Sequence, residues 1–353
     1  MKAYEIRTQG EGLDRLVEVE RPDPQPGPGQ VVVRMRAASL NYRDQPMVKG
    51  GYHTPAPGPF IPLSDGAGDV ITVGDGVSRV QVGDRVCPTF FQVWVDGKPP
   101  AGFGALGGPR DGVLAQQVMV HEDGLVKIPD SLSYEGAACL PCAALTAWNA
   151  LFGAGRPLKA GQSVLVQGTG GVSIFALQFA RAAGARVIAT SSSDAKIERL
   201  KQMGADACIN YKTTPEWQDE VQRLTGGVDG PGRDGKMTVA GGGVDVVVEV
   251  GGAGTLPRSY AALGWAGKIS LIGVMTQPGD NPVALNPIGL AFKAGSVHGI
   301  MVGSRVMFED MLEAMTANGV RPVVDKVFAW DQARQAYETA IAGDFFGKVV
   351  IRI

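Results

Sequence analysis

The sequence predicts an α/β protein in which a doubly wound parallel sheet is inserted into an irregular β-barrel domain. Three observations carry this. Residues 164–173, VLVQGTGGVS, read as a buried apolar strand that ends in glycines where an apolar helix begins. The first third of the chain is a series of short strands, and the chain ends on helices and a strand that return to that first domain. At 353 residues the chain is too long for one comfortable core, so two domains are the default.

In order, residues 30–38, QVVVRMRAA, form a β-branched strand after a lead rich in Pro and Gly. Residues 66–73, 83–87 and 114–120 are further strands, separated by Gly and Asp turns such as Val73-Gly74-Asp75-Gly76. From about Ser133 the period turns helical. The apolar runs 187–190, 207–210, 244–249, 268–273 and 297–300 are those of strands covered on both faces. Helices near 308–318 and 331–342 and a strand at 347–353 close the chain. The expected division is 1–131, 132–299 and 300–353, with residues 296–300 at a sheet edge. Residues 226–243, GGVDGPGRDGKMTVAGGG, read as a flexible helix-to-strand loop or small hairpin, away from any catalytic edge.

The glycine turn sits inside a β-α-β unit, the context that separates a phosphate cradle from a chance GxGxxG match. Gly168 permits the tight turn, Gly170 lets a backbone approach a pyrophosphate, and Gly171 removes bulk at the helix start. Ser173 is small enough to pack helix on strand. Along the turn that also holds Thr169 and Val172, free N–H groups and the positive end of the helix dipole then face an anion. Gly273-Val274 ends another strand at the carboxyl edge, where ligands bind in open α/β folds. The second strand of the unit ends Ala189-Thr190-Ser191-Ser192-Ser193, without the acid that would accept both ribose hydroxyls of NAD. Ser192, Ser193 and Lys196 suit a 2′-phosphate, and Lys196 is alternatively a solvated helix charge. Asp194, at a helix start, is expected to satisfy backbone N–H groups.

Composition excludes several function classes. The 33 basic and 35 acidic residues nearly balance, so neither nucleic acid nor a membrane surface is expected as a partner. No spanning apolar run or signal-peptide core is read, which with four cysteines leads to a reducing, cytoplasmic expectation. Cys139 and Cys142 straddle Pro141 in an apolar context and read as buried residues, with Cys142 lining the pocket. Cys87 and Cys208 read as core, and His121 and His298 as satisfied structural histidines. His53, next to Tyr52 in a loop rich in Gly and Pro, is the histidine read toward the substrate side.

The segments LNYRD at 40–44, PLSDGAG at 62–68, GVSRVQVGDRV at 76–86, PCAALTAW at 141–148 and FGKVVI at 346–351 resemble the medium-chain dehydrogenase/reductase superfamily over essentially the whole chain. Within it the chain is most similar to the zinc-free quinone oxidoreductase and enone reductase branch. The resemblance implies a GroES-like catalytic domain around a Rossmann domain and an edge-paired homodimer. It also implies NADP(H), with the 2′-phosphate held through Ser193, Lys196 and Tyr211. Gly273-Val274 would hold the nicotinamide amide, and Lys348 would lie near the cofactor, a surface lysine being the alternative. Zinc members carry Cys at the position of Asn41, His-Glu at Ser64-Asp65 and Cys at Cys142. Asn and Ser are poor zinc ligands and one thiolate cannot hold a catalytic zinc, so no metal is expected.

The expected chemistry is hydride transfer to an acceptor that is already electrophilic, a quinone or an α,β-unsaturated carbonyl (enone), with the protein supplying orientation and hydrogen bonds to the developing oxyanion. The resemblance places the counterparts of Asn41, Asp44 and Tyr52 around the nicotinamide, which makes them the candidates, with Cys142 and Ser64 close by. Asn41 can donate an amide N–H, and Tyr52 is either a proton donor or a wall of the pocket. Two other readings stand beside this one: an NADP-dependent alcohol dehydrogenase or carbonyl reductase, and a non-enzymatic NADPH-binding protein.

Overall fold

The computed structural model describes residues 1–50, 58–102, 104–226, 241–273, 283, 285 and 287–353. The chain divides into two compact units, Met1–Leu145 with Val302–Ile353, and Thr146–Met301. The first unit opens on an antiparallel ribbon of β1 (Lys2–Ile6) and β2 (Leu16–Glu20). Next come β3 (Gln30–Ser39), β4 (Asp65–Val73), β5 (Arg85–Pro88), β6 (Gln117–His121) and β7 (Leu125–Lys127). The second unit carries β8 (Ser163–Gln167), β9 (Arg186–Ser191), β10 (Ala207–Asn210), β11 (Val244–Glu249), β12 (Leu263–Leu271) and β13 (Ser296–Gly299). The chain then returns to the first unit with β14 (Val324–Phe328) and β15 (Lys348–Arg352).

In the first unit the sheet order is β14-β15-β3-β4-β5-β7, with β6 paired to β3. Strand β3 is its spine because its β-branched run packs Val31, Val33 and Met35 into a core shared with Leu114, Leu125, Tyr337 and Val349. Its register with β4 shifts twice, between Val32/Val33 and Met35/Ala37, and such bulges bend a sheet toward closure. Gly68 allows the close approach: a Cβ there would lie 2.1 Å from the Arg34 carbonyl oxygen. Ser39 pairs with Asp65 on one side and Val350 on the other. The end of β3 and the starts of β4 and β15 are therefore side by side.

Residues 132–145, grouped by periodicity with the parallel sheet, belong to the first unit. The reason is visible in their contacts: Ser39 Oγ donates to Ala138 O at 2.8 Å and Cys87 Sγ to Ala137 O at 3.4 Å. The helical stretch Tyr134–Gly153 corrects another expectation, since its 20 residues are long and apolar enough to cross a membrane. Its window is 78% buried inside the protein, as in a core helix.

The second unit is a six-stranded sheet in the order β10-β9-β8-β11-β12-β13, all parallel. Leu165, Ile188, Val247 and Ile269 are fully or almost fully buried in its core, as the apolar runs require. From β8 the chain winds outward through β9 and β10, then resumes on the other side of β8 at β11. That reversal makes the carboxyl ends of β8 and β11 the topological switch point of the sheet, where ligands of doubly wound folds bind. Strand β13 lies at the opposite edge from β10. Of the loop at 226–243, residues 227–240 lie outside the described residues; beside them Gly243 N donates to Thr225 Oγ1 at 2.6 Å.

Candidate active site

Strands β3, β4 and β15 bring Asn41, Ser64, Asp65 and Lys348 together in the first unit. Lys348 is not a surface lysine: it is 3% exposed, and its Nζ donates to Leu40 O at 2.5 Å and Asn41 Oδ1 at 2.7 Å. An ammonium can only donate, so it fixes the orientation of the Asn41 amide. The oxygen must face Lys348, and Nδ2 is left on the donor side, 3.4 Å from Ser64 Oγ. Ser64 in turn donates to Asp65 Oδ1 at 2.7 Å, while Asp65 Oδ2 accepts the Cys142 backbone N–H at 2.8 Å. Leu63, just before Ser64, has φ of 65°, a left-handed conformation uncommon for leucine, held by the Val113 N–H on its carbonyl.

Asp44 fixes the same loop from the other side. Its Oδ2 accepts the Asn41 backbone N–H at 2.7 Å, and its buried Oδ1 has no hydrogen-bond partner among the described residues. Burial raises its pKa to about 6, against the opposing pull of the Arg43 guanidinium and the Asn41 N–H. Burial also raises Asp65, with Lys348 opposing. The Cys142 thiol is pushed well above its ordinary value by burial and by Asp65, and Cys139 up to about 12, so neither is a thiolate at neutral pH. Arg43, which sequence reasoning passed over, is a clamp: its guanidinium donates to Leu106 O and Gly108 O at 2.8 Å each and lies over the Phe90 ring. Tyr52 and His53 lie outside the described residues.

This donor set does not suit a catalytic zinc. The Asn41 oxygen is taken by Lys348 and Ser64 is a hydroxyl donor, so Cys142 would be the one thiolate ligand, too few for a catalytic site. Among the described residues no three His, Cys, Asp or Glu side chains group as metal ligands. His121 caps the turn at Asp123, and His298 Nε2 pairs with Ser296 Oγ, both structural uses.

In the second unit the glycine turn joins β8 to the helix Gly171–Ala182. Gly168 has φ of 73° and its N–H is tied to Thr190 O at 2.8 Å. Gly170 is the N-cap of the helix Gly171–Ala182, and no side chain caps it. A Cβ at Gly168 or Gly170 would meet nothing within 4 Å, so the space before the helix is open on the protein side. Ser173 is 3% exposed and donates to Gln167 O at 2.6 Å, packing helix on strand. Thr169 is buried and Val172 half-buried in the first turn.

At the neighbouring strand ends, Asn210 pairs with Ser191 and the Tyr211 N–H donates to Ser191 O. This brings Ser192, Ser193, Lys196 and Tyr211 to one edge, Tyr211 being 41% exposed. The structure corrects the role of Asp194. The N-cap is Ser193, whose Oγ accepts the Lys196 N–H, while Asp194 Oδ1 accepts Asn210 Nδ2 at 2.7 Å. Gly273 packs so closely that a Cβ would lie 2.3 Å from Gly252 N. Val274 lies outside the described residues.

The family model described as "Alcohol dehydrogenase GroES-like domain" matches residues 27–130, and "Zinc-binding dehydrogenase" matches residues 171–317. A zinc-type alcohol dehydrogenase-like protein of Schizosaccharomyces pombe is 44% identical over 99% of both chains. The chain belongs to the medium-chain dehydrogenase/reductase superfamily. A quinone oxidoreductase of Mus musculus is 29% identical over 91% of this dehydrogenase/reductase and 88% of its own length. A solved NAD-dependent alcohol dehydrogenase superposes with TM-score 0.84 at 32% identity, covering 100% of each chain. This medium-chain dehydrogenase/reductase is thus an oxidoreductase of a family that works with nicotinamide nucleotides.

Proposed function

We propose that the protein transfers hydride from NADPH to a quinone or an α,β-unsaturated carbonyl without a metal ion. The observation that carries this reading is the Lys348–Asn41–Ser64–Asp65 chain, which orients an amide N–H where a zinc-dependent relative needs a ligand. When bound, the nicotinamide supplies the hydride. The Asn41 amide then donates to the oxygen on which negative charge develops, and it is preorganised because Lys348 and Asp44 hold its side chain and its backbone. An acceptor already electrophilic at carbon needs no stronger Lewis acid. In the second unit, the open glycine turn suits the pyrophosphate, and Ser192, Ser193, Lys196 and Tyr211, with no acid ending β9, suit a 2′-phosphate. The relatives named alcohol dehydrogenase favour a second reading, oxidation of an unactivated alcohol. A homodimer through the exposed edge of β13 completes the proposal.

One experiment separates these readings: NADPH absorbance followed with quinones, enones and aldehydes, alongside metal analysis and the reverse reaction with alcohols and NADP. The expected result is turnover with a quinone or enone that a chelator leaves unchanged. Alcohol oxidation lost on chelation and restored by Zn²⁺ would establish the second reading. Nucleotide binding with no turnover of any acceptor would leave a binding protein.

A further inference from the structure

We infer that Glu249 is a positioning residue for the nucleotide, the hub that sets the spacing of three loops at the carboxyl edge of the parallel sheet. This rests on the nucleotide reading of the second unit given above. Glu249 is the last residue of β11 and is 0% exposed. Its Oε1 accepts the backbone N–H groups of Gly251 at 2.8 Å and Gly252 at 2.9 Å and the Thr255 hydroxyl at 2.6 Å. Its Oε2 accepts Gln167 Nε2 at 2.9 Å and the Ser259 hydroxyl. Its backbone carbonyl accepts both the Ile272 and Gly273 N–H groups at 2.9 Å.

Together these contacts reach three loops and the helix Leu256–Ala262 that carries Ser259. Gln167 is the residue immediately before Gly168, so its side chain ties the phosphate turn after β8 to Glu249. Gly251 and Gly252 form the turn after β11, and Gly273 ends the strand region after β12. Strands β8 and β11 flank the topological switch point, so the carboxylate sits beneath the crevice where such sheets bind ligands. A buried carboxylate is expensive to desolvate. Here it is held by five neutral donors, an arrangement that a glutamine cannot reproduce.

The orientation of Gln167 shows why. Its Oε1 accepts the Val250 N–H at 3.3 Å, and its Nε2 donates to both Ser259 Oγ, at 2.7 Å, and Glu249. In Glu249→Gln, the new amide oxygen must stay with the Gly251 and Gly252 N–H groups, which turns its NH₂ toward the NH₂ of Gln167. Two donors then face each other in the core. The double variant Q167E/E249Q restores one donor and one acceptor in the same geometry.

The test measures NADPH and NADH dissociation constants, melting temperature and kcat at saturating nucleotide. E249Q should weaken NADPH binding about 10- to 100-fold, the range for a buried polar group left mispaired, with kcat changed less than about threefold. Q167E/E249Q should recover most of the affinity. A role confined to core stability would lower the melting temperature and leave the dissociation constant of the folded protein unchanged, and that result overturns the inference. If E249Q does not fold, Thr255→Val and Ser259→Ala each remove one donor and should weaken binding about 2- to 10-fold; unchanged affinity in both overturns it. A wild-type protein that binds neither nucleotide instead overturns the nucleotide reading itself.

Discussion

Asp44→Asn offers the most quantitative test of the site's electrostatics. In the folded protein the carboxyl titrates at about 6 against an ordinary value of 3.8, because it is buried and only one of its oxygens is hydrogen-bonded. A raised carboxyl pKa means the native state holds the proton more tightly than the unfolded chain. The group therefore contributes no penalty below pH 3.8, and stability is lost as pH rises from there to about 6. The full cost of the ionised form is about 3 kcal/mol, two units at about 1.4 kcal/mol each. Between roughly pH 4.5 and 7.5 the linkage relation gives a loss of about 2 kcal/mol in the wild type that D44N, which cannot ionise, does not suffer. Denaturant unfolding of both proteins across that range, followed by tryptophan fluorescence, measures the difference directly. D44N also leaves a buried amide N–H without an assigned acceptor, which lowers its stability by a pH-independent amount. The slope of the difference is thus the diagnostic. A wild-type minus D44N difference that is flat with pH would refute the assignment of a desolvated carboxylate.

Three further outcomes follow from the same structure. Lys348→Met removes the donor that orients the Asn41 amide, so kcat for the reductase reaction should fall about 10- to 100-fold, with NADPH affinity by titration little changed. Gly170→Val places its side chain in space open on the protein side, so the variant should melt within a few degrees of wild type. Its NADPH dissociation constant should rise more than about tenfold, read by fluorescence titration. Lys196→Ala should weaken NADPH about tenfold and leave NADH nearly unchanged, and equal weakening of both would place Lys196 outside the 2′-phosphate contact.

The parallel sheet was legible because its strands are apolar on both faces and its turns carry glycine. The runs at 207–210 and 244–249 coincide with β10 and β11. The ribbon β1–β2 was not, since each strand is only five residues long, Lys2 and Glu5 break the apolar run of β1, and no residue of β2 is fully buried. In the site, the pattern FGK marks Lys348 without telling that its amine reaches back to the end of β3. That contact exists only because the register sets Val350 opposite Ser39. Glu249 showed one faint signal, an acid closing the apolar run VVV at 246–248, where a strand about to be buried on both faces has no use for a charge. The five donors that justify it come from three separate stretches, Gln167, residues 251–255 and Ser259, and no local pattern joins them.

Buried charge serves one purpose in both units. Lys348 donates to a carbonyl and an amide oxygen, Glu249 accepts from neutral N–H and O–H groups, and Lys268 donates to the carbonyls of Leu151 and Ala154, where burial lowers its pKa to about 8. None of the three is tied by these bonds to an opposite charge; each is tied to backbone or amide groups at the end of a strand or helix. An ion pair would satisfy the charge and leave the loop free. A charge whose bonds go to loop amides and carbonyls makes loop geometry the price of solvation, so displacing the loop exposes a buried ion. For an enzyme proposed to work by orienting hydrogen-bond donors, that coupling supplies rigidity that a bound metal would otherwise lend.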